Sequence, residues 1–175
     1  MPVAVLFIAL IFIVPIGGII AFVVLRANNR KAERAGPWGA LAQNHGGYFD
    51  GDRVTLTRPD HRIVLEVKLV SVMQAASGPY YPDGGTFTQA TMQVDPQQLQ
   101  VATVGPARVD PAQLVQLVPG VNAMPAHARV ILAPHEATVV LDGSVIDLQA
   151  LEQTFRGLEA IRQAAAQHGA LPVAA

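Results

Sequence analysis

Val3 to Leu25 contains no charged residue, and so long an uncharged run dictates the solvent in which the start of this chain is stable. As a helix, these 23 residues extend about 34 Å at roughly 1.5 Å per residue. The hydrocarbon core of a bilayer is about 30 Å thick, so the run predicts a transmembrane helix over 1–25 with little tilt. Two other readings compete with it. A soluble helix of this length that is apolar on every side is unusual. A cleaved signal peptide has a basic leader, a shorter apolar core and a small-residue cleavage site. Here no Lys or Arg precedes the run, which ends in Leu25-Arg26-Ala27-Asn28.

Within the span, Pro15 and the Gly17-Gly18 pair predict a bend, because proline removes a backbone donor and crowds the preceding turn. Gly17 and Ala21 form a small-xxx-small pair that permits close helix–helix approach. They are candidate interface residues for self-association or for a membrane-protein partner, and the alternative is small residues facing lipid. After the span come Arg26, Arg30, Lys31 and Arg34, with Glu33 the lone acid. The positive-inside rule then places the amino terminus outside and the following domain in the cytoplasm, as a single-pass protein of the inner or plasma membrane. The same four residues form a candidate membrane flank beside anionic headgroups.

The rest of the chain has a different character. Residues 1–34 hold four of the twelve basic and one of the thirteen acidic residues, which leaves eight basic and twelve acidic residues and a formal charge of -4. A nucleic-acid partner is not expected, since phosphate contacts need concentrated Lys and Arg. With no cysteine in the chain, disulfides, thiolate catalysis and Cys-ligated metals are excluded.

Residues 26–36 read as a basic connector that extends the helix or links it to the next element. Pro37 suits the first turn of a short helix, in which Trp38, Leu41 and Ala42 share a face and which Gly46-Gly47 ends. Trp38 is a packing anchor or an interfacial aromatic. Alternation of Val54 and Leu56 with threonines, then of Ile63, Leu65, Val67 and Leu69 with polar residues, predicts a hairpin from about 53 to 70. Ala75 to Gly85 is a loop dense in Gly and Pro, and it carries Tyr80 and Tyr81. These tyrosines either fold over a core edge or form a binding surface.

Strands are predicted at 86–94, 99–104, 129–133 and 137–141, with a further short one at 145–146 after the Asp142-Gly143 turn. A short helix at 111–118 would turn Leu114, Leu117 and Val118 inward. Asp147 caps a final amphipathic helix of about 20 residues, whose stripe includes Leu148, Leu151, Phe155, Leu158 and Ile161. That stripe either covers the sheet or serves as a partner interface through Leu151, Phe155 and Leu158.

The expected architecture is α+β: one N-terminal transmembrane helix, then a small antiparallel-sheet domain over 37–169 packed by the long C-terminal helix, then a tail at 170–175. The span followed by a small domain resembles the layout of many bacterial single-span proteins, a likeness that is architectural and implies no activity.

No pattern calls for a cofactor. Gly46-Gly47 and Gly84-Gly85 lack the context of a phosphate-binding loop. No His-x-x-x-His or His-Glu-x-x-His pair occurs, and His127, His135 and Glu136 are the only local group with metal-ligating chemistry. Ser71, Ser77 and Ser144 sit outside any nucleophile-elbow context. The expected function is therefore a membrane-tethered, non-catalytic accessory or scaffold subunit working through protein–protein contacts. A membrane-anchored ligand-binding or sensing module is the alternative, and an enzyme without a recognisable motif comes third.

Overall fold

The computed structural model describes residues 2–75, 81, 83–94, 107–109, 114–116, 118, 121, 124–125 and 127–168, with side chains from residue 16 onward except at 107 and 108. The chain begins with α1 (Pro2–Asn44), a 43-residue helix that extends about 65 Å at roughly 1.5 Å per residue. It runs without interruption through both Pro15 and Pro37. This corrects the expectation that Pro37 opens a separate short helix. A proline inside a helix removes one backbone bond at a cost of about 3 kcal/mol, and the buried packing of the residues around it offsets that cost.

At the C-terminal end of α1, Gly46 takes a left-handed conformation with φ 63°. The Gly47 N–H reaches the Ala42 carbonyl at 2.7 Å and the Gly46 N–H reaches the Gln43 carbonyl at 3.2 Å. This pairing is a Schellman motif. It turns the chain back into β1 (Tyr48–Phe49), a short strand.

The sheet continues with β2 (Arg53–Thr57), β3 (His61–Val70), β4 (Gly85–Val94), β5 (Ala107–Val109), β6 (Arg129–Ala133) and β7 (Glu136–Asp142). A four-residue helix, α2 (Val72–Ala75), follows β3, and α3 (Leu148–His168) closes the described chain. Seven strands pair antiparallel throughout, in the order β1-β2-β3-β4-β7-β6-β5. The α+β class and the C-terminal helix are as expected.

The expected hairpin over 53–70 is β2–β3, with Val54 opposite Leu65 and Leu56 opposite Ile63. The expected strand at 145–146 is absent. Val145 lies in coil, its N–H bound to Thr88 Oγ1 at 2.8 Å and its carbonyl bound by Trp38 Nε1 at 3.0 Å. The 99–104 strand, Leu117 and the 170–175 tail lie outside the described residues. Leu114 and Val118 are buried.

One face of the sheet carries Val54, Leu56, Ile63, Leu65, Ala90 and Met92, with β6 and β7 adding Val130, Leu132, Ala137 and Val139. The end of α1 and the stripe of α3 cover this face, burying Trp38, Leu41, Leu151, Phe155, Leu158 and Ile161 in the same core. Asp147 caps α3 as expected, its Oδ1 accepting from the Gln149 N–H at 2.9 Å.

Among the described residues, no helix is long and apolar enough to cross a membrane. The side chains of 2–15, more than half of the predicted span, are outside that description. On the described remainder of the run, Ile16, Ile19, Ile20, Phe22, Val23, Val24 and Leu25 are all exposed.

Gly47 and Gly39 give a paired test of the helix end. A Cβ on Gly47 would lie 2.3 Å from Leu56 Cδ2 and 2.8 Å from the Thr55 carbonyl oxygen, whereas one on Gly39 meets nothing within 4 Å. Gly47→Ala is expected to destabilise the protein by about 1–3 kcal/mol through overpacking. Gly39→Ala is expected to stabilise it by about 0.5–1 kcal/mol through helix propensity. Chemical unfolding of the full chain in detergent measures both.

Candidate functional site

The second face of the sheet is covered at one end and open at the other. At the covered end Val70, Ala75, Phe87, Ile131 and Val140 form a small apolar cluster, with Tyr81 packed against it. The Tyr81 ring sits 4.8 Å from that of Phe87, and its hydroxyl donates to Gln89 Oε1. Tyr81 thus folds over a core edge, while Tyr80 lies outside the described residues. From Gln89 a chain of polar contacts runs outward. Gln89 Nε2 donates to Thr91 Oγ1 at 2.7 Å, Thr91 and Thr138 hydroxyls meet at 3.4 Å, and Thr138 Oγ1 donates to Glu136 Oε1 at 3.0 Å.

These contacts lead into a concavity of about 320 Å³ on the open end, lined by Arg53, Arg62, Val64, Glu66, Lys68, Gln89, Thr91, Gln93 and Glu136. The alternation that sends Ile63 and Leu65 into the core sends Arg62, Val64, Glu66 and Lys68 here. Antiparallel register then sets Arg62 opposite Gln93 and Glu66 opposite both Arg53 and Gln89. Lys68 Nζ pairs with Glu66 at 3.2 Å, and Arg53 Nε with Asp50 at 3.1 Å. Asp50 is held below its ordinary carboxylate value, first by the backbone N–H groups of Asp52 and Arg53. Arg62 has no ion pair among the described residues.

A second constellation sits at the far end of the helical face. The His61 ring lies between two carboxylates, with Nδ1 2.8 Å from Asp60 Oδ1 and Nε2 2.8 Å from Glu159 Oε1. Arg162 closes the ring, Nη1 reaching Asp60 Oδ2 at 2.8 Å and Nε reaching Glu159 Oε2 at 3.0 Å. Imidazole offers two donors only as the imidazolium, so two ionised carboxylates on its two nitrogens call for the charged ring. With both nitrogens engaged, His61 has none left to activate a nucleophile, and the array therefore works as a clamp between the β2–β3 turn and α3. Asp60 is held below its ordinary value, chiefly by the hydrogen bond from His61.

A smaller clamp joins α1 to α3: Asn44 Nδ2 and His45 Nε2 reach Glu152 at 3.0 and 2.7 Å. Burial works to raise Glu152, and the hydrogen bonds from Asn44 and His45 outweigh it, so its carboxyl lies below the ordinary value.

The residues singled out from the sequence scatter. Gly17, Ala21, Arg26 and Arg30 are exposed on α1. Lys31 is paired with Asp52 at 2.8 Å. Arg34 is buried, its guanidinium 5.4 Å from the centre of the Trp38 ring. Lys31 is thus turned towards β2, and Arg34 is held within α1 by Trp38 and by the Arg30 carbonyl, which its Nε reaches at 3.2 Å. Trp38, Leu151, Phe155 and Leu158 are fully buried in the intramolecular core, in keeping with the packing role that was one of the two readings open for each. The sequence reading missed the open-face groove and the His61 clamp. Among the described residues, no three His, Cys, Asp or Glu side chains converge as a metal site.

No family model matches the chain, and neither a curated protein nor a solved structure shows significant similarity to it.

The His61 clamp makes a pH prediction. Because the Asp60 pKa is lowered by folding, its contribution is complete above its ordinary value of 3.8 and is lost as pH falls through the lower, folded value. Asp60→Asn should therefore cost about 1–2 kcal/mol at neutral pH and should flatten the acid limb of the stability profile. Urea unfolding of both proteins across the acid range measures this.

Proposed function

We propose that this chain is a membrane-tethered, non-catalytic accessory or scaffold protein, anchored by residues 3–25, that meets a protein partner through the open face of its sheet. The observation that carries the reading is the asymmetry of that sheet. One face is sealed by α1 and α3, and much of the other is left as a groove of mixed charge whose Arg62 has no ion-pair partner among the described residues. Small-molecule sites are mostly apolar and enclosing, and among the described residues Val64 is the one apolar residue lining this groove. A shallow polar surface with both signs of charge instead suits a protein surface of complementary charge, where such groups set specificity and register. The exposed Arg62 guanidinium favours a carboxylate from that partner.

The anchor rests on the uncharged run and its exposed described portion. The basic residues that follow it, Arg26 and Arg30 foremost, favour an orientation with the domain in the cytoplasm. The ligand-binding alternative draws on the volume of the groove, which is at the lower bound of the range for small-molecule sites, about 300 Å³.

Arg62→Glu separates these readings. In detergent extracts, the full-length wild-type protein is expected to co-purify with a stoichiometric protein partner, and the variant is expected to lose that partner while unfolding at the same denaturant concentration. A wild-type protein that is strictly monomeric and retains no partner contradicts the proposal.

A further inference from the structure

We propose that the end of the sheet from which α1 departs is a lipid-docking surface, with Leu69, Val72, Met73 and Ile146 seated at the bilayer interface and holding the domain against the membrane. This inference rests on the anchor reading above and adds a second, independent contact to it.

The four residues come from separate segments that the topology gathers at one end. β3 finishes at Val70, paired with Gly85 at the start of β4. β7 finishes at Asp142 opposite Phe87, and the Gly143 N–H binds the Thr86 carbonyl. Leu69, α2 and the 143–147 connection therefore share this end. Here Leu69 is 81%, Val72 74%, Met73 87% and Ile146 46% exposed. Scattered apolar residues on a surface are ordinary, whereas a cluster of large ones marks an interaction site.

The path of α1 says what covers them. The His45 carbonyl accepts from Arg58 Nη2 at the opposite end of the sheet, beside the β2–β3 turn. Trp38 binds Val145 near the departing end, and Lys31 pairs with Asp52 still earlier in the helix. Followed backwards, α1 thus leaves the domain past the edge that carries Leu69 and Val72. From Lys31 to Leu25 is six residues, about 9 Å of helix at roughly 1.5 Å per residue.

Headgroup and interfacial layers add about 5–8 Å to each side of a hydrocarbon core of about 30 Å. A bilayer entered at Leu25 therefore brings its interface to the level of the four apolar residues. Arg26 and Arg30, both exposed on α1 between the two apolar zones, lie at headgroup depth, where anionic lipid favours them. A lipid surface is consequently the occupant that the helix delivers to this end, with apolar and basic groups at matching depths.

The absence of cysteine makes the test direct. Met73→Cys and, at the opposite end, Thr57→Cys are each labelled with an environment-sensitive fluorophore in the full-length chain. Each is then reconstituted into phosphatidylcholine–phosphatidylglycerol vesicles and exposed to lipids brominated high on the acyl chain or to aqueous iodide. The expected result is a blue-shifted Met73→Cys label quenched severalfold more by brominated lipid than the Thr57→Cys label, and severalfold less by iodide. If the protein floats with the vesicles but both labels respond alike to iodide, the docking surface is overturned and the anchor stands. A Met73→Cys label shielded from both quenchers reports a protein cover, such as a second copy, and also overturns docking. If the protein fails to float with vesicles, the anchor and the docking surface fall together.

Discussion

The indole N–H of Trp38 donates to the Val145 carbonyl, and the Val145 N–H in turn binds Thr88 Oγ1, which donates to the Gly143 carbonyl. Three elements meet in that short chain of hydrogen bonds: the first helix, the central strand β4 and the segment that leads into α3. Thr88 and Trp38 are both fully buried, so each polar group there depends on the others for satisfaction. An unpaired group at such a place costs about 1–3 kcal/mol. Loss of a buried Trp side chain costs about 3–5 kcal/mol, against total stabilities of about 5–15 kcal/mol. The geometry of the domain relative to α1 follows from this junction.

Under the proposed reading, that junction makes one continuous helix serve two solvents. From Val3 to Leu25 α1 carries no charge, and from Lys31 onward its side chains engage the domain, Lys31 through Asp52, Trp38 through Val145 and Asn44 through Glu152. A flexible tether would leave the domain free to tumble relative to α1, whereas a helix whose last turns form part of the core fixes the sheet's direction relative to the helix. Under the proposed reading, the polar groove of Arg62, Glu66 and Lys68 is then presented at a set angle and height, which suits a protein that positions a partner.

Much of this architecture is legible in local patterns. Alternation marked β2 and β3, the spacing of Leu151, Phe155, Leu158 and Ile161 marked α3, and β6 and β7 read as short apolar runs because they are buried on both faces. Arg34 and Trp38, four residues apart on a helix, also had the spacing of a cation–π pair. The misreadings arise where tertiary packing overrides local preference. Pro37 looked like a helix start, yet the burial of Trp38 and Leu41 holds the helix through it. Val145 looked like a strand residue because it is apolar, but its backbone is claimed by Thr88 and Trp38. The His61 clamp joins residues about a hundred positions apart, and no spacing rule reaches across that distance. The groove was readable only in part: the outward alternation of Arg62, Glu66 and Lys68 was visible, whereas its other residues, from Gln89 to Glu136, are set beside them only by the strand pairing.

Central to the proposed reading is that α1 is one rigid body from Leu25 into the core. Spin labels at Asn28→Cys and Gln163→Cys, both exposed positions, measure this in the full-length protein by pulsed dipolar spectroscopy in lipid bilayers. A single narrow distance distribution is predicted. A broad or bimodal one would mean that the helix breaks before the domain, and would contradict the claim that anchor and core share a single element.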